Sequence, residues 1–135
     1  MNKKGFTLIE LLVVIAIIGL LSTLAVVALN NARQKSRDAK RVSDIKQIQT
    51  ALELYFNDNN SYPATISTGI SGTSQSYMTQ VPTNPTPRVD NGCADQDYGY
   101  APNNGNASYT ITFCLGGTTG NISAGARTAT PAGIQ

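Results

Sequence analysis

Few residues in this chain can carry out acid–base or nucleophilic chemistry. Its 135 residues include no histidine, which excludes a Ser–His or Cys–His nucleophile pair and a histidine-ligated metal site. The candidates that remain are Glu10 inside an apolar stretch, the cysteines Cys93 and Cys114, and a group of acidic residues at positions 90–97. A chain of one domain's length with these residues favours a structural or binding protein over an enzyme. We therefore assign no catalytic residue and no cofactor.

Glu10 is the only charged residue between positions 6 and 29, a stretch that as a helix of about 36 Å can cross a membrane. A secretory signal, a plain anchor and a helix that leaves the membrane to be buried in an assembly all fit this stretch. It is longer than a secretory h-region, and Val26-Val27-Ala28 is a poor cleavage site. In a plain anchor, an unpaired carboxylate inside the bilayer would cost about 2.5–3.5 kcal/mol. An assembly helix, in which a positive charge neutralises Glu10, best explains why a carboxylate lies in this apolar stretch.

Residues 3–14, Lys-Lys-Gly-Phe-Thr-Leu-Ile-Glu-Leu-Leu-Val-Val, closely resemble the prepilin signature of type IV pilins and type II secretion pseudopilins. The resemblance implies that prepilin peptidase cuts between Gly5 and Phe6 and that the new amino terminus of Phe6 is methylated. It also implies that Glu10 pairs with the amino-terminal charge of a neighbouring subunit. At 4 Å and an effective dielectric of 20 that attraction is about 4 kcal/mol, comparable to the cost of submerging the carboxylate. The alternative for Glu10 is a solvated position at the membrane interface.

The chain after this stretch is predicted to continue as a helix with one apolar face. No proline or glycine interrupts residues 32–56, and apolar residues recur there at steps of three or four: Ala39, Val42, Ile45, Ile48, Leu52 and Tyr55. The basic residues at positions 33–46 alternate with Asp38 and Asp44, which favours a solvated helix face over a nucleic-acid or lipid-headgroup patch. The acidic second half of the chain also argues against nucleic-acid binding.

Turn formers at positions 57–63 end the predicted helix, and a small antiparallel sheet is predicted beyond them. Residues 97–101 and 108–115 flank Asn104-Gly105, which indicates a β-hairpin. Alternate residues of the second strand form the face that should cover the helix: Tyr109, Ile111, Phe113 and Leu115. Cys114 lies on the other face, where it can meet Cys93. Two cysteines in a small exported domain favour a disulfide over two free thiols.

Other segments have weaker patterns. Residues 65–80 predict a loop and residues 128–131 a surface tail, while Tyr62-Pro63 and Val81-Pro82 resemble the pattern of the major pseudopilins. Asp90, Asp95 and Asp97 offer oxygen ligands for calcium. The resemblance, however, implies calcium ligands after the last strand, and residues 116–135 contain no Asp or Glu. We therefore expect a solvated acidic loop and no metal site.

These features predict an α+β, pilin-like protein whose long amino-terminal helix, membrane-spanning in its first half, packs on a small antiparallel sheet. Residues 1–5 are the expected leader, residues 6–29 the transmembrane and assembly half of the helix, and residues 30–135 the extracytoplasmic domain. The resemblance implies a subunit of a type II secretion pseudopilus or type IV pilus-like fibre. Its implied partners are copies of itself, other pilins or pseudopilins, prepilin peptidase and an inner-membrane assembly platform.

The resemblance also implies a single pass through the cytoplasmic membrane, with the carboxyl-terminal domain outside. A positive-inside count disagrees, because more Lys and Arg residues follow the apolar stretch than precede it. The alternative function is a membrane-anchored extracytoplasmic binding domain that does not assemble.

Overall fold

The computed structural model of the chain describes residues 5–135, so the first four leader residues lie outside the described range. Within this range a single helix precedes six strands, and the fold is α+β as predicted. The elements are α1 (Leu8–Asn59), β1 (Ile70–Ser71), β2 (Ser76–Met78), β3 (Gly99–Asn103), β4 (Ser108–Leu115), β5 (Gly125–Thr130) and β6 (Gly133–Ile134).

The chain divides into two compact units, Met1–Arg33 and Gln34–Gln135, and α1 contributes to both. In the first unit, every large apolar side chain from Phe6 to Leu29 is between 47% and 87% exposed. The hydroxyl groups of this segment are bonded within the helix, since Ser22 donates to the carbonyl of Ile18 and Thr23 to that of Leu20. These bonds lower the cost of placing the two hydroxyls in an apolar environment.

The second unit contains two antiparallel sheets. Strands β1 and β2 form a short hairpin, and the larger sheet has the order β3-β4-β5-β6. In the larger sheet Tyr100 lies opposite Ile111, and Phe113 lies opposite Arg127. The β3–β4 hairpin turns at Asn104 and Gly105, whose positive φ angles fit the Asn-Gly signal in the sequence.

The core of the second unit lies between α1 and β4. Eight of its residues have no exposed surface, and six of these come from α1 and β4: Ile45, Ile48, Leu52, Tyr109, Ile111 and Leu115. The predicted helix stripe and the predicted strand face therefore meet. Each fully buried aliphatic side chain contributes about 1.5–3 kcal/mol relative to an exposed one. This burial holds the sheet on the helix.

Two local predictions were wrong. Residues 65–80 contain the β1–β2 hairpin, in which Ile70 is fully buried. Gly69 permits this hairpin, because it has a φ of 122° and a Cβ there would lie 2.7 Å from the carbonyl oxygen of Met78. Residues 128–131 are not a surface tail, because β5 pairs with β4 and places Ala129 opposite Ile111 in the core.

Candidate assembly site

Thr7 and Glu10 together begin helix α1. The backbone amide and the hydroxyl of Thr7 both donate to Oε2 of Glu10, at 2.8 Å and 2.7 Å. The amide of Glu10 donates in return to Oγ1 of Thr7 at 3.3 Å. This reciprocal arrangement is a capping box, which satisfies amides that the first helical turn leaves without partners. Sequence reasoning missed this role, although the spacing Thr-x-x-Glu ahead of an apolar run is its known signal.

Gly5 and Phe6 precede the helix and are exposed. A Cβ added at Gly5 would meet no heavy atom within 4 Å, so packing within the described chain does not require glycine at this position. Phe6 is 87% exposed. The Gly5–Phe6 peptide bond is therefore open to another protein.

The first half of α1 is suited to an apolar environment. By length and composition it is apolar enough to cross a membrane, and none of its most apolar part is buried within residues 5–135. Glu10 lies in the first turn of this apolar segment.

A second site lies within residues 34–135, where four charged side chains from α1 and a loop form what we call the ion cluster: Arg37, Asp38, Arg41 and Asp90. Arg41 is completely buried. Its guanidinium contacts Asp38 at 2.7 Å and Asp90 at 2.8 Å, and its Nε donates to Oδ1 of Asn84 at 2.8 Å. Arg37 donates to Asp90 from its Nε, also at 2.8 Å. The two positive charges of the arginines are balanced by the two negative charges of the aspartates.

Backbone groups complete the coordination of the ion cluster. The amides of Gly116 and Gly117 donate to the two oxygens of Asp38 at 3.0 Å and 2.9 Å. The hydrogen bonds from Arg37 lower the pKa of the Asp90 carboxyl below its ordinary value, and the same contact raises the pKa of Arg37. The cluster therefore holds Asp90 ionised although its side chain is only 7% exposed.

The prediction of a solvated helix face at positions 33–46 was wrong for three of its charged residues. Asp38, Arg41 and Asp44 are all at most 3% exposed. Asp44 accepts a hydrogen bond from the hydroxyl of Tyr98 at 3.0 Å, and burial raises the pKa of that tyrosine. Besides its partner on α1, each of the three also bonds to a segment far along the chain, which the helical pattern does not reveal.

The prediction of a solvated acidic loop before β3 was wrong for Asp90, which is buried, whereas Asp95 and Asp97 are exposed. Asp90 belongs to the ion cluster. Oδ1 of Asp97 accepts hydrogen bonds from the backbone amides of Asn84 and Tyr98 at 2.7 Å and 3.0 Å. Arg88 pairs with the other oxygen of Asp97 at 3.3 Å. Within residues 5–135 no group of three or more metal-binding side chains occurs.

Cys93 and Cys114 form a disulfide bond. Cys93 is buried at the end of the loop that contributes Asp90, and Cys114 lies next to the end of β4. The bond therefore joins this loop to the larger sheet.

Comparison with known proteins decides the nature of the amino-terminal segment, because residues 1–26 match the family described as the prokaryotic N-terminal methylation motif. The chain carries this motif. It is 45% identical over 64 residues to the type II secretion system core protein G of Pectobacterium carotovorum, a match that covers 47% of this chain and 41% of the relative. The Aeromonas hydrophila protein of the same name is 46% identical over 64 residues, or 47% of this chain and 45% of the relative.

A longer match joins the chain to the core protein G of Vibrio cholerae, at 38% identity over 87 residues, 64% of this chain and 56% of that relative. The chain thus spans about half the length of the curated relatives it matches. No solved structure matches it significantly. The resemblance to the prepilin and type II secretion proteins is confirmed over the matched segments.

Proposed function

We propose that this chain is a structural subunit, not an enzyme, which polymerises through its amino-terminal helix after prepilin peptidase has cut between Gly5 and Phe6. The observation that carries the proposal is an exposed apolar helix with a carboxylate in its first turn, within the segment that matches the methylation motif. The relatives' printed name favours a type II secretion pseudopilus over a type IV pilus-like fibre. Copies of itself, other pseudopilins and an inner-membrane assembly platform are the proposed partners.

The contacts of Glu10 leave it able to pair with another subunit. Both donors of Thr7 contact Oε2, and among residues 5–135 Oε1 has no hydrogen-bond partner. The methylated amine of Phe6 from a neighbouring subunit would supply the missing positive charge. Helix capping and intersubunit pairing thus use different oxygens of one carboxylate.

We further propose that residues 6–29 anchor the subunit in the cytoplasmic membrane and that residues 30–135 lie outside it. The disulfide supports an oxidising location for the domain. The positive-inside count still favours the opposite orientation, because it depends on the number of Lys and Arg residues and not on their pairing with Asp. The orientation proposed here therefore rests on the methylation motif and on the disulfide.

Mass spectrometry of the mature protein tests the processing step. We expect a chain that begins at N-methylated Phe6, and we expect Gly5→Leu to leave the precursor uncut, because a side chain would shield the scissile backbone. Gly19→Ala is the matched control, since a Cβ at Gly19 also meets nothing within 4 Å. A mature chain that begins after Ala28 would establish a secretory signal instead.

Variants of Glu10 test assembly against simple anchoring. We expect Glu10→Ala to insert in the membrane at least as well as the parent but to fail to enter fibres, because the intersubunit charge pair is lost. Glu10→Gln keeps a capping side chain without charge, and we expect it to assemble as poorly as Glu10→Ala. Thr7→Val removes the cap but keeps the carboxylate, and it should retain assembly.

Normal fibre yield from Glu10→Ala, measured by electron microscopy, would refute intersubunit pairing. If Glu10→Gln assembled normally while Thr7→Val failed to assemble, helix capping alone would explain why assembly requires Glu10. A membrane-anchored binding domain predicts that no Glu10 variant changes any extracytoplasmic activity.

A further inference from the structure

Two separate chain segments surround the charges that α1 contributes to the ion cluster. The first, residues 84–93, supplies the side chains of Asn84 and Asp90, and its Pro87 and Arg88 carbonyls accept from Arg41 at 3.3 Å and 3.4 Å. The second, residues 114–117, supplies the two amides that bind Asp38. Neither segment alone satisfies both Arg41 and Asp38.

The same two segments are joined to each other beside the ion cluster. Cys93 is bonded to Cys114, and Nδ2 of Asn91 donates to the carbonyl of Gly116 at 3.1 Å. Asp90 packs so closely on Gly116 that an added Cβ would lie 2.6 Å from the Cβ of Asp90. The disulfide therefore ties together the segments that neutralise the buried charges.

This arrangement makes the burial of the charged Asp38 and Arg41 side chains depend on the disulfide bond. Buried Asp38 and Arg41 are stable only while both segments stay in place, because an unpaired buried charge is strongly unfavourable. Segment 84–93 has no regular secondary structure, and all its residues except Asn84, Asp90 and Cys93 are exposed or half-exposed. Apart from the disulfide, it is held by the ion cluster, by the bond from Asn91 to Gly116 and by polar contacts of Asn84 and Arg88 with residues 96 and 97. Without the disulfide, the noncovalent contacts would have to bear the entropy cost of closing the segment.

We propose that Cys93 and Cys114 act as a redox switch that closes the ion cluster. On oxidation the two thiols give up two electrons and two protons, and the S–S bond forms while the disulfide of a protein thiol oxidant is reduced to a dithiol. In the reduced subunit, segment 84–93 opens and the amides of Gly116 and Gly117 lose Asp38 as their acceptor. The domain is complete only after export to an oxidising compartment. This inference concerns the domain itself and holds whether or not the chain polymerises.

Hydrogen exchange tests the switch in the full chain in detergent micelles, followed by NMR before and after reduction with dithiothreitol. We expect the amides of Gly116 and Gly117 to exchange about thirtyfold faster or more in the reduced protein. The amide of Ile111, in the middle of β4, should change by less than about threefold, because the larger sheet stays folded. The double variant Cys93→Ser/Cys114→Ser should match the reduced protein without dithiothreitol.

Asn91→Ala is the control that removes a noncovalent link between the segments and keeps the disulfide. It should leave the exchange of Gly117 slow in oxidising conditions. Unchanged protection of Gly116 and Gly117 after reduction would overturn the proposal. Equal loss of protection at Ile111 would also overturn it, since reduction would then unfold the domain as a whole.

Discussion

Replacing Arg41 with methionine should destabilise the second unit more than any other single loss of charge on α1. Methionine keeps much of the volume of arginine but removes the guanidinium that contacts Asp38, Asp90 and Asn84. The Arg41→Met variant therefore leaves two buried carboxylates and one buried amide with fewer partners.

The size of the effect follows from the partners that remain. Removing one member of a buried ion pair typically costs about 3–5 kcal/mol. We expect the lower end of that range, because Asp38 keeps the amides of Gly116 and Gly117 and Asp90 keeps Arg37. For a unit of about 100 residues, a loss of about 3 kcal/mol lowers the unfolding midpoint by roughly 12–24 °C.

Thermal unfolding followed by near-ultraviolet circular dichroism of the buried tyrosines measures this shift. Lys40→Met is the matched control, because Lys40 also pairs with an aspartate but its side chain is 58% exposed, so its loss should cost less than about 1 kcal/mol. The double variant Asp38→Asn/Arg41→Met removes a buried charge of each sign and should recover some of the loss. Equal midpoints for Arg41→Met and Lys40→Met would show that the ion cluster does not stabilise the fold.

Three further predictions concern pH and the apolar core. Because the pKa of Asp90 is lowered in the folded protein, its contribution to stability is complete above about pH 5 and is lost as the pH falls below 4. In Asp90→Asn the free energy of unfolding should therefore depend less on pH in that range than in the parent. Burial raises the pKa of Tyr62 and of Tyr100 to about 12, so stability should fall as the pH rises from 10 towards 12, with tyrosinate absorbance near 295 nm rising at the same pH as unfolding. Ile48→Ala should lower the free energy of unfolding in urea by about 2–5 kcal/mol, because Ile48 is fully buried. Leu54→Ala should lower it much less, because Leu54 is 52% exposed, and equal losses would show that Ile48 is not part of the core.

The sequence alone determined the amino-terminal half of the protein, because its signals are local. The methylation motif, the apolar stretch and the helix that follows are all read from neighbouring residues. The alternation in β4 and the Asn-Gly turn likewise predicted the β3–β4 hairpin, whose partners are close in the chain.

The tertiary structure decided the ion cluster and the final strands. Arg41 meets Asn84, 43 residues away, and Asp38 meets the amide of Gly117, 79 residues away. In the sequence a buried charge looks like a solvated one, because only distant partners allow it to leave water. Similarly, the Gly-, Ala- and Thr-rich β5 becomes a strand through its pairing with β4, which supplies the hydrogen bonds and the burial that its own residues do not indicate.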